Sequence, residues 1–503
     1  MHRQQPAPPS PVVVIGAGPA GLTAGYELTT RGVPVVILEK DDDVGGLART
    51  VEYKGFRFDI GGHRFFTKVA PVARLWREML GDDFLRRPRL SRIYYRGRFF
   101  DYPLKPLNAL RNLGVWTSFR VLLSCLWIKM FPIRPERSFA DWVSNRFGRE
   151  LFSIFFETYT EKVWGIPCNR IGAQWAAQRI KGLSLKTAVI NMLAPVGMRG
   201  SGAIKSLIEQ FDYPRLGPGM MWDAFRERIE RGGGSVQLNS RIARILHDGA
   251  RVTGVEVERE GKTYLQSADH VISTMPVRHL IQRLDPPAPS DVVDAASRLK
   301  YRDFLTVALI IDVPALFPDN WIYVHDDRVL VGRIQNYKNW SAAMVPDQRY
   351  TCLGLEYFCF AGDGLWSKTD AELVELATRE LETVGLAARG LVRDGTVVRA
   401  PKAYPVYDDG YEAALHASKQ YLERFSNLQL VGRNGMHKYN NQDHSMLTAM
   451  LAVRNLFGEQ HCLWNVNVDE EYHEEENLEP ERAARPAGAR LGGRTQPAVP
   501  RLL

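Results

Sequence analysis

Apolar runs and the residues that interrupt them divide the chain into alternating strand and helix signals. Residues 12–15 are four β-branched positions that stop at Gly16, and a second apolar run, 33–38, stops at Glu39. The segment between them reads as a helix, so the chain opens as strand, helix, strand and then a glycine-rich loop, the start of a doubly wound α/β sheet. From Pro106 to about Lys205 the apolar spacing becomes helical, with Ser138 predicted as a helix cap ahead of Phe139 and Trp142. A further helix is predicted to begin around Gly219 and to end at Gly232-Gly233-Gly234, followed by strands over 235–246 and 251–259. Residues 305–360 are strand-rich and predict a second sheet. A helix over 370–384, a strand over 428–431 and a final helix after Asp443 complete the pattern.

The alternation predicts a discontinuous Rossmann-like α/β domain with two insertions, one helical and one an antiparallel sheet. The expected boundaries are 11–90, 215–285 and 425–468 for the cofactor domain, 105–214 for the helical subdomain, and 91–104 with 286–424 for the substrate-side sheet. Residues 1–10 and 469–503, rich in proline, arginine or glycine, are expected to be disordered.

Composition narrows the class. The chain has 503 residues and a net charge of +8 from 65 basic and 57 acidic residues. No apolar run is long enough to span a bilayer, no secretory signal opens the sequence, and no motif indicates nucleic acid. Five cysteines without metal-ligand spacing predict no metal site and fit a reducing, cytoplasmic setting. Residues 113–132 mix Trp116, Phe119, Leu122, Leu123, Leu126 and Trp127 with two cations. They read first as a buried helix of the helical subdomain, with a peripheral membrane contact as the alternative. Oligomeric state is left open.

The chemistry begins at Gly16-Ala17-Gly18-Pro19-Ala20-Gly21. Gly16 suits a tight turn, Gly18 lets a pyrophosphate approach the backbone, and Gly21 lets the helix pack on the strand, while Glu39 falls where a carboxylate takes ribose hydroxyls. Two glycine doublets follow, Gly45-Gly46 and Gly61-Gly62, the second leading into His63. Together these resemble the glycine-doublet flavoproteins, the class of amine oxidases, phytoene desaturases, protoporphyrinogen oxidases and UDP-galactopyranose mutases, and the resemblance implies FAD.

Further matches narrow the resemblance to UDP-galactopyranose mutases. Gly61-Gly62-His63 resembles their mobile histidine loop, the segment from Tyr159 to Pro167 with Lys162 and Trp164 resembles their tyrosine-lysine-tryptophan segment, and Gly432-Arg433 with Asn441-Gln442-Asp443-His444-Ser445 resembles their flavin-pyrimidine loop and the helix behind it. The resemblance implies a nucleotide-sugar substrate whose diphosphate is held by Arg179 and Arg333, with Tyr337 and Tyr439, and Tyr404 or Tyr407, contacting phosphate. Trp164 is expected to pack beside the substrate. It implies a pyranose–furanose isomerisation in which reduced flavin N5 attacks the anomeric carbon and the nucleoside diphosphate leaves, His63 keeping N5 reactive, with NAD(P)H as a candidate reductant. Each residue also has a plainer reading: a carboxylate partner for Arg179, a solvent-facing strand position for Arg333, core aromatics for the tyrosines, and an exposed ion pair for Glu161 and Lys162. The rival function is an FAD-dependent oxidase or desaturase acting on an amine, a polyene or a lipid-linked sugar.

Overall fold

The computed structural model describes residues 11–102, 104–173, 209–408 and 410–467. Arg179 and both expected disordered ends lie outside these residues.

The first strand, Val12–Ile15, is central to a five-stranded parallel sheet, ordered Leu428–Leu430, Val271–Ser273, Val12–Ile15, Val35–Leu38, Ser235–Gln237. Continuous β-branched runs suit strands covered on both faces. The helices Pro19–Thr29, Gly219–Arg231 and Gln442–Leu456 contribute Leu22, Phe225, Ile229, Met446 and Val453 to the core around that sheet. The second strand begins at Val35 and the last helix at Gln442, each within two residues of expectation.

One predicted strand is two. Residues 235–246 break at Asn239, whose φ of +53° is the left-handed region that asparagine tolerates. Ser235–Gln237 stays in the parallel sheet, whereas Ser240–His247 enters a four-stranded sheet with Val252–Arg259, Lys262–Ser267 and Leu284–Asp285.

The inserted sheet has seven strands, ordered Val392–Pro405, Tyr301–Ile311, Thr351–Cys359, Arg333–Asn336, Trp321–Val324, Ser91–Tyr95, Arg98–Asp101. All neighbours are antiparallel except Trp321–Val324 with Ser91–Tyr95. One face packs Ile322, Ile334, Leu353 and Leu355 against Leu373, Ala377 and Leu381 of the helix Asp370–Thr383. Alternation along the strands therefore sends Trp321, Tyr323, Arg333, Gln335 and Glu356 to the opposite face.

The helical insertion contains Pro106–Leu113, Val115–Met130, Phe139–Phe147 and Thr158–Trp164. Ser138 caps its helix as predicted, its hydroxyl accepting from the Asp141 N–H at 3.1 Å while the Asp141 carboxylate accepts from the Ser138 N–H at 3.0 Å. The preferred reading of 113–132 as a buried helix is overturned. Only Val121, Cys125 and Ile128 of Val115–Met130 are buried, and its other large apolar side chains face solvent.

Candidate functional site

The first half of the site is the glycine turn. Gly16 has a φ of +97°, and a Cβ at Gly21 would lie 1.8 Å from the Gly16 carbonyl oxygen, so both positions require glycine. Gly18 differs: a Cβ there meets nothing within 4 Å. It is the N-cap of Pro19–Thr29, which has no side-chain cap and no acidic residue in its first turn. The amides and positive dipole of that helix end thus face open space, as an anion site requires. Glu39 lies beside the turn, its carboxylate accepting from the N–H of Ala17 at 2.7 Å and of Asp41 at 3.0 Å. Burial raises its pKa, and those two amides oppose the rise. Gly45 closes the wall, donating from its N–H to the Ala17 carbonyl at 2.8 Å, and Gly46 comes against Gly18.

The second glycine doublet leads to the inserted sheet. A Cβ on Gly62 would fall 2.8 Å from Gln335 Nε2, and one on Gly61 would fall 3.9 Å from Glu356 Oε1. The turn before His63 is pinned from beneath by Asp59, a fully buried carboxyl that accepts the Tyr213 hydroxyl at 2.8 Å on both oxygens and the His63 backbone N–H. Burial drives the Asp59 pKa up. His63 is pushed down to about 3 by burial and by the charges of Arg433 and Arg333, so the imidazole is neutral near pH 7.

Beneath the loop runs a cross-strand row. Tyr323 is opposite Arg333 and Arg333 is opposite Glu356, so three strands place phenol, guanidinium and carboxylate side by side. Arg333 pairs with Glu356 through Nε and donates to the Tyr404 hydroxyl at 3.4 Å. Gln335 donates to the other Glu356 oxygen at 2.8 Å. Arg333 therefore faces the glycine loop rather than bulk solvent.

The remaining wall comes from the C-terminal part of the chain. Tyr404 and Tyr439 stack at 5.6 Å, and the Arg433 guanidinium lies 5.5 Å and 4.8 Å from their centroids. Arg433 is held by the carbonyls of Asn440 at 2.9 Å and Ala403 at 3.0 Å. Tyr407 accepts from the Tyr439 N–H at 2.7 Å and stacks on Trp164, which is buried as expected. Gly432, with φ +82°, donates to the Thr448 hydroxyl at 3.0 Å. Asn441 opens the last helix, its N–H donating to His444 Nδ1 at 3.3 Å, and Asp443 and Ser445 are buried in the first turn. Gln442 reaches across to donate to the Arg64 carbonyl at 3.3 Å, which ties this helix to the histidine loop.

Two expectations are corrected. Tyr337 does not reach the site: its ring is fully buried with Phe58 and Trp340, and its hydroxyl donates to the Asp59 carbonyl at 2.9 Å. Its place at the end of Arg333–Asn336 turns it under the sheet. Glu161 and Lys162 are no exposed pair. Lys162 Nζ donates to the carbonyls of Asp326, Val331 and Val324 at 2.6, 3.2 and 3.4 Å, and Glu161 accepts from the Cys168 N–H at 2.9 Å.

Residues 19–432 match the family described as flavin containing amine oxidoreductase. The chain belongs to this family. Its fold resembles that of reduced UDP-galactopyranose mutase, with a TM-score of 0.77 and 22% identity over 91% of this chain and 98% of the other. Protoporphyrinogen oxidase 2 of Arabidopsis thaliana is 28% identical over 162 residues, 29% of this chain and 31% of the relative. L-amino-acid oxidase of Crotalus adamanteus is 23% identical over 316 residues, 58% of this chain and 56% of the relative. The chain thus spans about a third and just over half of these two curated relatives.

For a flavin-containing amine oxidoreductase the cofactor is FAD, and the residues present fit it. The open space at Gly18 suits the pyrophosphate, and His63 Nδ1 and Gln442 Oε1 are buried polar atoms with no hydrogen-bond partner among the described residues. Sequence reasoning missed the other side of the cleft. Arg64 lies 5.3 Å and Arg89 5.4 Å from the Trp321 ring, and Arg89 also covers Tyr102 at 5.5 Å. Burial and the charges of Arg89 and Arg333 bring Arg64 down to about 10. Tyr159 stacks on His325 at 4.9 Å and meets Tyr323 edge-on at 5.5 Å. In the sequence Arg64 simply follows His63 and Arg89 closes Arg86-Arg87-Pro88-Arg89, far from Trp321 and Tyr323 along the chain.

Proposed function

We propose that this protein is an FAD-dependent isomerase acting on a nucleoside-diphosphate sugar, converting its pyranose and furanose forms. The observation that carries this reading is the density of cations and phenols around the second glycine doublet: Arg64, Arg89, Arg333 and Arg433 with Tyr102, Tyr159, Tyr323, Tyr404 and Tyr439. An apolar amine or polyene has no use for four guanidinium groups in a half-buried cleft, whereas a diphosphate is matched by planar, always-charged donors.

When bound, reduced FAD supplies a nucleophilic nitrogen toward the anomeric carbon. Arg333, oriented by Glu356, and the hydroxyls of Tyr404 and Tyr439 bind the diphosphate and stabilise the charge it gains on leaving. Arg433 holds the two tyrosines in their stacked pose. His63 is uncharged near pH 7, so it accepts or donates a hydrogen bond beside the flavin without placing a positive charge there. Trp164, Tyr407 and Tyr159 exclude water from the aromatic wall. Arg179 is proposed as the second diphosphate arginine and NAD(P)H as the reductant.

The test is to reduce the purified holoprotein anaerobically and incubate it with a panel of nucleoside-diphosphate sugars. A chromatographically distinct isomer that appears only with reduced protein supports the assignment. No isomer across the panel, together with oxygen consumption on an amine or polyene, assigns the cleft to oxidation instead.

A further inference from the structure

We propose that the outward face of the helix Val115–Met130 docks on the surface of an anionic lipid bilayer. The helix is built inside out. At 100° per residue, Val115, Trp116, Phe119, Leu122, Leu123, Leu126, Trp127 and Met130 fall on one arc, and all are exposed, from 48% at Leu123 to 91% at Val115. The opposite side carries Val121 and Cys125, which pack with Ile93, Phe100 and Phe155, and the buried Ile128. Phe131, whose ring lies 4.7 Å from that of Trp127, extends the exposed face beyond the C-terminal end of the helix. So continuous an apolar surface marks a contact with something apolar.

Charge says what that partner is. Residues 102–135 contain five cations, Lys105, Arg111, Arg120, Lys129 and Arg134, and no acidic residue. Arg120 and Lys129 lie at the two borders of the apolar arc, where their stems follow apolar surface. Arg120 pairs with Glu150 at 3.0 Å and Lys105 with Asp101 at 3.4 Å, so Arg111, Lys129 and Arg134 are the cations offered to phosphate groups. Trp116 and Trp127 are eleven residues apart, about 16 Å along the helix, and occupy the same face, as interfacial aromatic anchors do. A second copy of this chain would bring the same cations against one another, since a two-fold contact repeats one patch on both sides. The helix has 16 residues, and no described helix is long and apolar enough to cross a membrane, so it lies in the surface plane.

The placement has a consequence for the site. Tyr102, just ahead of this helical pair, is 4.9 Å from Tyr323 and is covered by Arg89. Docking would hold the arginine-lined cleft next to the lipid headgroups. The inference stands on the surface alone and does not depend on which reaction the cleft performs.

The test is flotation of the full-length holoprotein with phosphatidylcholine vesicles, with and without phosphatidylglycerol. Binding is expected only with phosphatidylglycerol and should fall as salt is raised. The triple variant Trp116→Ser, Leu123→Ser, Trp127→Ser should lose at least about tenfold in bound fraction while keeping its flavin and melting temperature, because these side chains are solvent-facing. Arg111→Glu with Lys129→Glu leaves the apolar face intact and should weaken binding to the anionic vesicles alone. A wild-type protein that does not float, or a triple variant that floats equally well, overturns the proposal. So does a dimer that the triple variant dissociates, which gives the face to a second copy.

Discussion

Arg333 and Glu356 stand directly opposite each other on adjacent antiparallel strands, joined by an ion pair whose carboxylate is completely buried. Removing the arginine alone leaves that acid uncompensated and costs about 3–5 kcal/mol, so Arg333→Ala reports on folding rather than on substrate. The informative variant replaces both partners. Arg333→Met with Glu356→Gln should keep a near-native melting temperature, because apolar or neutral isosteres of buried pairs are often tolerated. Its kcat/KM on a nucleoside-diphosphate sugar should fall about ten- to hundredfold, the worth of hydrogen bonds to a charged group. A double variant with wild-type stability and wild-type kcat/KM removes Arg333 from the binding site.

The tyrosines separate by the same logic. Tyr404→Phe and Tyr439→Phe keep the stacked rings under Arg433 and remove only a hydroxyl, so flavin content should hold while kcat/KM drops about tenfold. Tyr337→Phe removes a hydroxyl bonded to the Asp59 carbonyl inside the core. That change should cost about 1 kcal/mol of stability and leave kcat/KM unaltered. Steady-state kinetics beside thermal melts will distinguish the two patterns, and a kinetic defect confined to Tyr337→Phe would contradict both assignments.

The contrast between these residues shows which information is local. Gly16, Gly18, Gly21 and Glu39 were legible because a strand-turn-helix folds within a short stretch and its demands on backbone are met by residues a few positions apart. Arg333 was legible only through a motif, and its partner Glu356 was not, because the pairing depends on the register of two strands separated by a helical turn and a loop. Tyr159, Tyr323 and Arg89 meet through three separate segments and carry no shared pattern. The helix Val115–Met130 failed differently. Its apolar arc is plain in the sequence, but periodicity gives the arc's width and not its direction, and here the small residues Thr117, Ser118 and Ser124 sit on the more sheltered side.

Acid stability should depend on His325. It is buried, stacks on Tyr159 with planes 4° apart, and is brought from 6.5 to about 3 by burial and then by the charge of Lys162. A histidine with a lowered folded pKa binds its proton in the unfolded chain first. Its stabilising effect is complete above pH 6.5 and is lost as pH falls toward 3, at up to about 1.4 kcal/mol per pH unit. His63 and His437 add to the same limb, with folded values of about 3 and about 4. His325→Phe keeps a ring on Tyr159 and removes the titration. Its melting temperature should therefore fall less between pH 7 and pH 5 than that of the wild type, and parallel pH profiles would show that His325 is not a source of the acid limb.

Gly18 offers the sharpest test of where the cofactor's pyrophosphate lies. Its backbone, φ −80° and ψ −175°, is one that any residue adopts, and a Cβ there meets no protein atom within 4 Å. Gly18→Ala should therefore fold as the wild type does, with an unchanged apoprotein melting temperature. The methyl group instead occupies the space in front of the helix Pro19–Thr29, where backbone N–H groups await an anion. FAD affinity should drop about tenfold or more, since overpacking costs about 1–3 kcal/mol. Gly21→Ala is the control with the opposite signature: its methyl would press on the Gly16 carbonyl, so the apoprotein itself should lose stability. Flavin absorbance after gel filtration and apoprotein melts measure both effects. A Gly18→Ala protein that retains its full flavin complement would mean that the pyrophosphate does not pass this turn.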